Sequence, residues 1–365
     1  NRWMLGLSLH GGPNGLAQLT TPKALDPGLP PANTLKEASP QALANAIQQA
    51  TGWEWVHMQV RQHQAELVLE VGNEVFVDAR VQKVIGLAHV SLPAEVRTLS
   101  LQLQQHGLGL RRIEVDRHEW ALQKQRALPS ALRLRTATDL PPRGQSGLRI
   151  QSLSWRVVPE FKQVIGGPDA FVLYQWDASA QLEYRWRPST WMSGKLNVRA
   201  FDNYGSFHYD APSNLPRVRT DQRRYLTTSP VALDRLQLTH MSEWGGGWYS
   251  SVYGGWLESM FGGLGAEVLY SPWRKNWSVG LDLNHVWQRR FAQDFGFSDY
   301  AVNTGHLAWH WQTGIADVDA TWRVGRYLAG DWGTTLDLSR SFQNGVRFGA
   351  WLTRTQASSQ DFGEG

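Results

Sequence analysis

The chain contains no cysteine. That excludes a disulfide framework, a thiolate metal site and cysteine nucleophiles, though many proteins from oxidising and reducing compartments alike manage without the residue. It has no uninterrupted apolar run long enough for a membrane-spanning helix, and its mean hydropathy is −0.39. It has little excess of either charge: Lys+Arg 36 against Asp+Glu 32. The basic residues do not cluster as a nucleic-acid footprint should, so nucleic acid is not expected as a partner. What it has in abundance is tryptophan, 19 residues against 12 Phe and 10 Tyr, together with 35 Gly. Indole rings favour places with one end apolar and the other wet, such as the two interfaces of a membrane barrel.

The stretch from Leu264 to Trp287 shows the dominant pattern. Trp277, Val279, Leu281, Leu283, His285 and Trp287 alternate with Ser278, Gly280, Asp282, Asn284 and Val286. The preceding run alternates too, and the polar turn SPWRKN joins them. Period-two alternation marks a strand with two different environments. One face is apolar and aromatic, the other small and polar. A transmembrane hairpin reads this way, apolar toward lipid and polar toward a lumen, although a soluble sandwich also alternates.

In chain order, residues 1 to 9 read as a strand, and residues 10 to 35 as a Gly/Pro-rich loop. Residues 36–125 change character. Ser39-Pro40 reads as a helix start, Gly52 as its stop, and Asp116 as the cap of a later helix. The pattern is α-β-β-α-β-β-α, a compact α+β domain with helices on one sheet face. Its histidines, His57, His63, His89, His106 and His118, have no metal-type spacing and are expected at the surface or edge. Residues 126–147 read as a Pro/Gly-rich linker. From 148 onward the chain reads as about eleven strands: 148–160, 170–187, 191–203, 229–242, 246–258, 261–271, 276–289, 302–312, 316–328, 331–342 and 346–356. Connections alternate between a side of tight turns and a side carrying longer loops, Val158 to Asp169, Tyr204 to Thr228 and Ala292 to Val302. Outer-membrane barrels have short periplasmic turns and longer outside loops, and the same parity puts the α+β domain in the periplasm. The expected fold class is therefore mainly β: an antiparallel transmembrane β-barrel over 148–365, incomplete at its C-terminus, preceded by a small α+β periplasmic domain. Residues 1–35 then carry a strand of a preceding barrel part. Both ends look cut, as in a piece of a longer polypeptide.

Alternation points Glu183, Arg185, Arg187, Lys195, Asn197, Arg199, Glu267, Asp282, Asn284, His306, His310, Asp317, Asp319, Arg323, Asp337 and Arg347 toward the lumen. A wall of mixed charge suits a hydrated glycan; the plain alternative is that barrel interiors are polar anyway and pair their charges. Asp317 and Asp319 share a face at about 7 Å by strand rise, a spacing compatible with two carboxylates flanking a glycosidic bond. Alternation produces such pairs by chance, and no aromatic platform is tied to them. His306 and His310 are too far apart along a strand for one metal. Arg217, Arg219, Arg223 and Arg224 fall in the long loop 204–228. No catalytic residue, metal or cofactor is expected.

The run YGGWLESMFGGLGAEVLYSPWRKNWSVGLDLNHVWQRRF, then TGHLAWHW, resembles the YjbH/GfcD-like family of outer-membrane proteins. Gly262, Gly263, Gly265, Glu267, Tyr270, Gly280, Asp282, Asn284, Gln288, Arg289, Phe291, Gly305, His306 and Leu307 carry the likeness, which covers residue 36 to the end. The resemblance implies a large outer-membrane protein of exopolysaccharide or group 4 capsule biosynthesis, a lipoprotein in some members. It implies surface polysaccharide, outer-membrane lipid and secretion proteins of the same pathway as partners. It carries over no catalytic residue. The expectation is a non-enzymatic barrel assisting polysaccharide secretion or assembly; the alternative is a barrel enzyme modifying glycan or lipid.

Overall fold

The computed structural model describes residues 2–10, 40–71, 77–125, 137–140, 153–165, 169–208, 214–219, 221–342, 347–358 and 361. The chain divides into two units, residues 11–150 with 341–346, and residues 1–10, 151–340 and 347–365.

Strand β1 (Arg2–His10) comes first in sequence and belongs to the larger unit. The smaller unit follows, with α1 (Pro40–Thr51), β2 (Glu54–Arg61), β3 (Gln64–Glu70), α2 (Val77–Ser91), β4 (Thr98–Gln105), β5 (Leu108–Asp116), α3 (Arg117–Gln125) and β6 (Ala137–Leu140). Its 5-stranded sheet runs β2-β3-β4-β5-β6. Only β3 and β4 pair in parallel, because α2 forms the crossover between them. Alternate sheet residues Leu67, Leu69, Leu99, Leu101, Leu103, Ile113 and Val115 pack with Leu43, Ile47, Val84, Ile85 and Trp120 of the helices into one core. Helix α1 ends at Gly52, whose φ of 73° is the left-handed conformation that glycine adopts without strain. Ser39, read as its cap, lies outside the described residues. Asp116 does cap α3, accepting from the backbone N–H of His118 (2.9 Å) and Glu119 (3.1 Å). Buried Arg117 donates to the carbonyls of His89 (2.8 Å), Leu92 (3.1 Å), Pro93 (2.8 Å) and Val96, satisfying groups the end of α2 leaves open. The stretch read as a linker contributes β6, which pairs with β5.

The larger unit adds β7 (Leu153–Ile165), β8 (Val172–Arg187), β9 (Thr190–Asp202), β10 (Val231–Gly245), β11 (Trp248–Trp256), β12 (Phe261–Tyr270), β13 (Trp277–Arg289), β14 (Phe297–Gln312), β15 (Val318–Arg326), β16 (Trp332–Ser341) and β17 (Arg347–Thr355). With β1 they form a 12-stranded sheet in the order β1-β17-β16-β15-β14-β13-β12-β11-β10-β9-β8-β7. Successive strands from β7 to β17 are neighbours, each joined by a reversal of direction; β1 pairs antiparallel with β17. The fold is thus mainly β, with an antiparallel sheet. The closed barrel expected from sequence goes further than the pairing seen: β1 and β7 are the two edges, and no pairing joins them among the described residues.

Candidate functional site

The cross-strand register puts paired residues on one face, so the two faces can be read row by row. On β8, Gln175, Asp177, Ser179, Gln181, Glu183 and Arg185 alternate with Trp176, Ala178, Ala180, Leu182, Tyr184 and Trp186. The polar set is the buried one. Asp177 is 3% exposed, Asn197 2% and Ser179 0%, whereas Trp155 is 72% exposed, Leu264 62% and Leu283 60%. This inverts the usual order of a protein in water, where polar groups face solvent and apolar groups are covered.

The apolar face carries aromatic side chains near both strand ends. Toward the tight-turn end Trp248 packs on Tyr270 (4.7 Å), Tyr270 on Trp277 (6.0 Å), and Trp309 on Trp311 (6.5 Å). Toward the other end Phe161, Trp176 and Phe201 form a row, as do Trp256, Phe297 and Trp287. Trp322 sits mid-strand opposite Trp309.

Arg187, expected on the polar face, lies past a bulge after Arg185 and pairs with Thr190, whose parity on β9 is that of Met192, Leu196 and Val198 on the apolar face. The polar face carries Glu183, Arg185, Lys195, Asn197, Arg199, Glu267, Asp282, Asn284, His306, His310, Asp319, Arg323, Asp337 and Arg347 on its rows. Asp317 is not among them. It lies exposed in the turn before β15, where Ala316 (φ 50°) and Asp317 (φ 55°) are the two left-handed central residues of a type I′ hairpin turn. Val318 N–H closes that turn on the Ile315 carbonyl at 3.0 Å. The proposed spacing of Asp317 and Asp319 along one strand is therefore corrected, because Asp317 is outside the strand.

The face sorts into neighbourhoods. On β7 to β10 cations are paired: Lys162 with Asp177 (3.0 Å), Lys195 with both Glu160 (2.8 Å) and Asp234 (3.1 Å), and Arg199 with Asp202 (3.2 Å). Arg185 pairs with Glu183 (2.6 Å) on its own strand. On β11 to β14 a ladder forms. Tyr253 Oη donates to Asn284 Oδ1 (2.6 Å), Asn284 Nδ2 donates to Asp282 Oδ2 (2.9 Å), and Asp282 meets His306 Nδ1 at 3.2 Å. Gly265 sits between Tyr253 and Asn284, and a Cβ there would strike both side chains. The Asp282–His306 pair has the look of a base with its orienting carboxylate. Nε2 of His306 is buried with no hydrogen-bond partner among the described residues, so no hydroxyl stands where a nucleophile would. Its ring lies instead against Tyr327, at 4.9 Å. His310 bonds Thr321 (3.1 Å) and does not join His306. No group of metal-ligating side chains is present among the described residues.

At the end away from the tight turns, the segment between β9 and β10 folds back over the sheet. It contains α4 (Gln222–Thr227). Tyr225, 2% exposed, donates through its hydroxyl to the Arg289 carbonyl (2.5 Å); burial pushes its phenol up to about 12. Arg199 reaches the Leu226 carbonyl (2.8 Å), Gln288 reaches the Arg217 carbonyl (2.9 Å), and Asn214 N–H reaches the Asp361 carbonyl (3.0 Å). One segment thus touches β9, β13 and the residues after β17, which are far apart in the strand order, so the sheet curls. Of the loop arginines, Arg217 pairs with Asp221 (3.4 Å), Arg219 with Glu258 (2.7 Å), and Arg224 lies over Phe291 (5.2 Å). The sequence could not show this, since loop periodicity carries no packing signal.

Comparison with known proteins sets these features in a family. The profile described as "Exopolysaccharide biosynthesis protein YbjH", that of the YjbH family, matches residues 1–365. The chain belongs to the YjbH family. A relative from Escherichia coli (strain K12), "Uncharacterized lipoprotein YjbH", is 36% identical over 290 residues. The match covers 77% of this chain and 39% of that relative, so the chain spans well under half the relative's length. No solved structure matches. The family read from the sequence is thereby shown, and the description of that family is one of exopolysaccharide biosynthesis.

Proposed function

We propose that the 12-stranded sheet is the wall of an outer-membrane barrel whose polar face lines a lumen, and that the protein assists export or assembly of an exopolysaccharide without breaking bonds. The observation that carries this reading is the inverted burial: exposed apolar residues on one face, buried polar residues on the other. Aromatic bands near both ends of the apolar face support it, since tryptophan and tyrosine collect at the two membrane interfaces. The tight-turn end faces the periplasm, and the α+β unit, whose described elements run from α1 to β6, is a periplasmic domain that docks secretion partners. The lipoprotein name of the Escherichia coli relative agrees with an envelope location.

The non-enzymatic part rests on the polar face itself. Its charges are spread over many strands, and among the described residues the Asp282–His306 pair meets no hydroxyl at the free imidazole nitrogen. Distributed weak contacts suit a hydrated polymer in transit, whereas catalysis needs a few groups held in tight geometry. The test is complementation of a null strain with surface polysaccharide as the readout. Asp282→Asn with His306→Gln should preserve output, and deletion of residues 36–125 should abolish it. If the double variant assembles in the membrane yet yields no polysaccharide, the enzymatic reading replaces this one.

A further inference from the structure

We infer that the tight-turn mouth of the polar face holds a binding station for an acidic sugar, a uronate unit of a polysaccharide. This rests on reading the polar face as a lumen wall. The site is a cleft of about 270 Å³ built by the 271–276 connection and by the ends of β13, β14, β15 and β17. Lys275, Asn276, His310, Asp319, Thr321 and Arg347 line it. Three of them, His310, Asp319 and Arg347, come from three different strands and converge only through the register.

The cleft gathers two cations that no carboxylate among the described residues neutralises by an ion pair, unlike the ion-paired cations of β7 to β10. Lys162, Arg185, Lys195 and Arg199 each have a carboxylate within ion-pair distance. Neither Lys275 nor Arg347 has one among the described residues. Arg347 is held at one nitrogen by Ser339 Oγ (2.6 Å), which fixes its fork and leaves its other donors for a ligand. A guanidinium so placed suits the two oxygens of a carboxylate. The remaining groups suit sugar hydroxyls. Asp319 makes no hydrogen bond among the described residues and offers two acceptor oxygens. Asn276 spends its amide donor on the Gln312 carbonyl (3.0 Å), which leaves its Oδ1 free. His310 is oriented by Thr321 (3.1 Å). Two cations without an ion-pair partner within 4 Å among the described residues, beside hydroxyl acceptors, describe a ring that bears both a carboxylate and hydroxyls.

The test is calorimetric titration of the full chain in detergent micelles with tetragalacturonate, and with maltotetraose as the uncharged control. Tetragalacturonate should bind, more weakly as salt rises, and maltotetraose should not. Arg347→Gln should raise Kd tenfold or more, and Arg347→Lys should recover part of the loss. Both variants must show the parent's heat-modifiable migration, which reports a folded barrel. No binding of tetragalacturonate, equal binding of maltotetraose, an unchanged Kd in Arg347→Gln, or equally effective displacement by inorganic phosphate would each overturn the proposal. The lumen reading fails separately, if the chain leaves membranes without detergent; the same titration then still decides the cleft.

Discussion

Leu281 offers a direct test of which solvent the sheet faces. It lies within β13 on the apolar face, 46% exposed, in register with Val268 of β12 and Leu307 of β14, which are exposed as well. In water an Arg at such a position would change stability by about 0.5 kcal/mol or less. Near the middle of a bilayer it should cost about 2–4 kcal/mol, roughly a 30- to 700-fold change in the folded-to-unfolded ratio. Glu267 is the control. It sits next to Val268 on β12, points to the polar face, and stands opposite Asp282, which would meet a new guanidinium as a countercharge. Glu267→Arg should therefore be close to neutral. The assay is urea unfolding and refolding in phospholipid vesicles, followed by the fluorescence of the 19 tryptophans. If Leu281→Arg and Glu267→Arg are tolerated equally, the apolar face does not meet lipid.

Other outcomes follow from particular contacts. The α+β unit expressed alone, without detergent, should melt cooperatively, and Leu101→Ala at a fully buried core position should cost about 2–5 kcal/mol in its urea midpoint. Burial works to raise the Asp116 carboxyl, but the Glu119 N–H, the Arg97 side chain and the His118 N–H outweigh it and hold it below its ordinary value. The stabilisation is fully present above the unfolded carboxylate range, about pH 3.9, and is lost as pH falls through the lowered folded value. Asp116→Asn should flatten that acid limb in melts between about pH 5 and 2. Tyr225, raised to about 12, contributes stability that is complete below the ordinary phenol value of about 10 and disappears as pH rises through 12. Limited proteolysis of the 214–230 segment should accelerate over that interval, whereas Tyr225→Phe, which has no phenol to ionise, should be cut faster at neutral pH and show no such acceleration.

Much of the sheet was legible because its period is unambiguous. The strand read at 276–289 is β13, 277–289, and its two faces fall as alternation assigns them. The α+β order was legible too, since Gly52 and Asp116 punctuate it chemically. Failures came where a local signal was outweighed by position. The strand read at 148–160 runs on as β7 through Pro159 to Ile165, into the connection read at Val158 to Asp169, because β7 is an edge strand and an edge tolerates a missing N–H donor. Phe297 to Ala301 looked like loop but extends β14, and Ala137–Leu140 pairs with β5 despite its Pro/Gly-rich surroundings. Asp317 shows the opposite error: alternation continued by one residue into a turn whose left-handed backbone no sequence signal announced, since neither Ala316 nor Asp317 is glycine. The polar-face residues could be named from period alone. Their grouping into paired, laddered and unpaired neighbourhoods could not, because it depends on residues two or more strands apart.

The position of β1 beside β17 has a kinetic consequence. From β7 to β17 every neighbour in the sheet is also the next strand in the chain, so these strands can zip up as a series of short-range hairpins. The β1–β17 seam is different. It joins Arg2–His10 to Arg347–Thr355, the two most distant strands of the sheet. Closing a loop of that length instead of a tight hairpin spans about six doublings of chain length, at about 0.6 kcal/mol each. Of these twelve strands, β1 is made first and must wait for β17, keeping an unpaired edge exposed until β17 arrives. Assembly of this sheet should then be limited by that single late seam, and a holding factor acting on the nascent chain should matter more for β1 than for any strand after it.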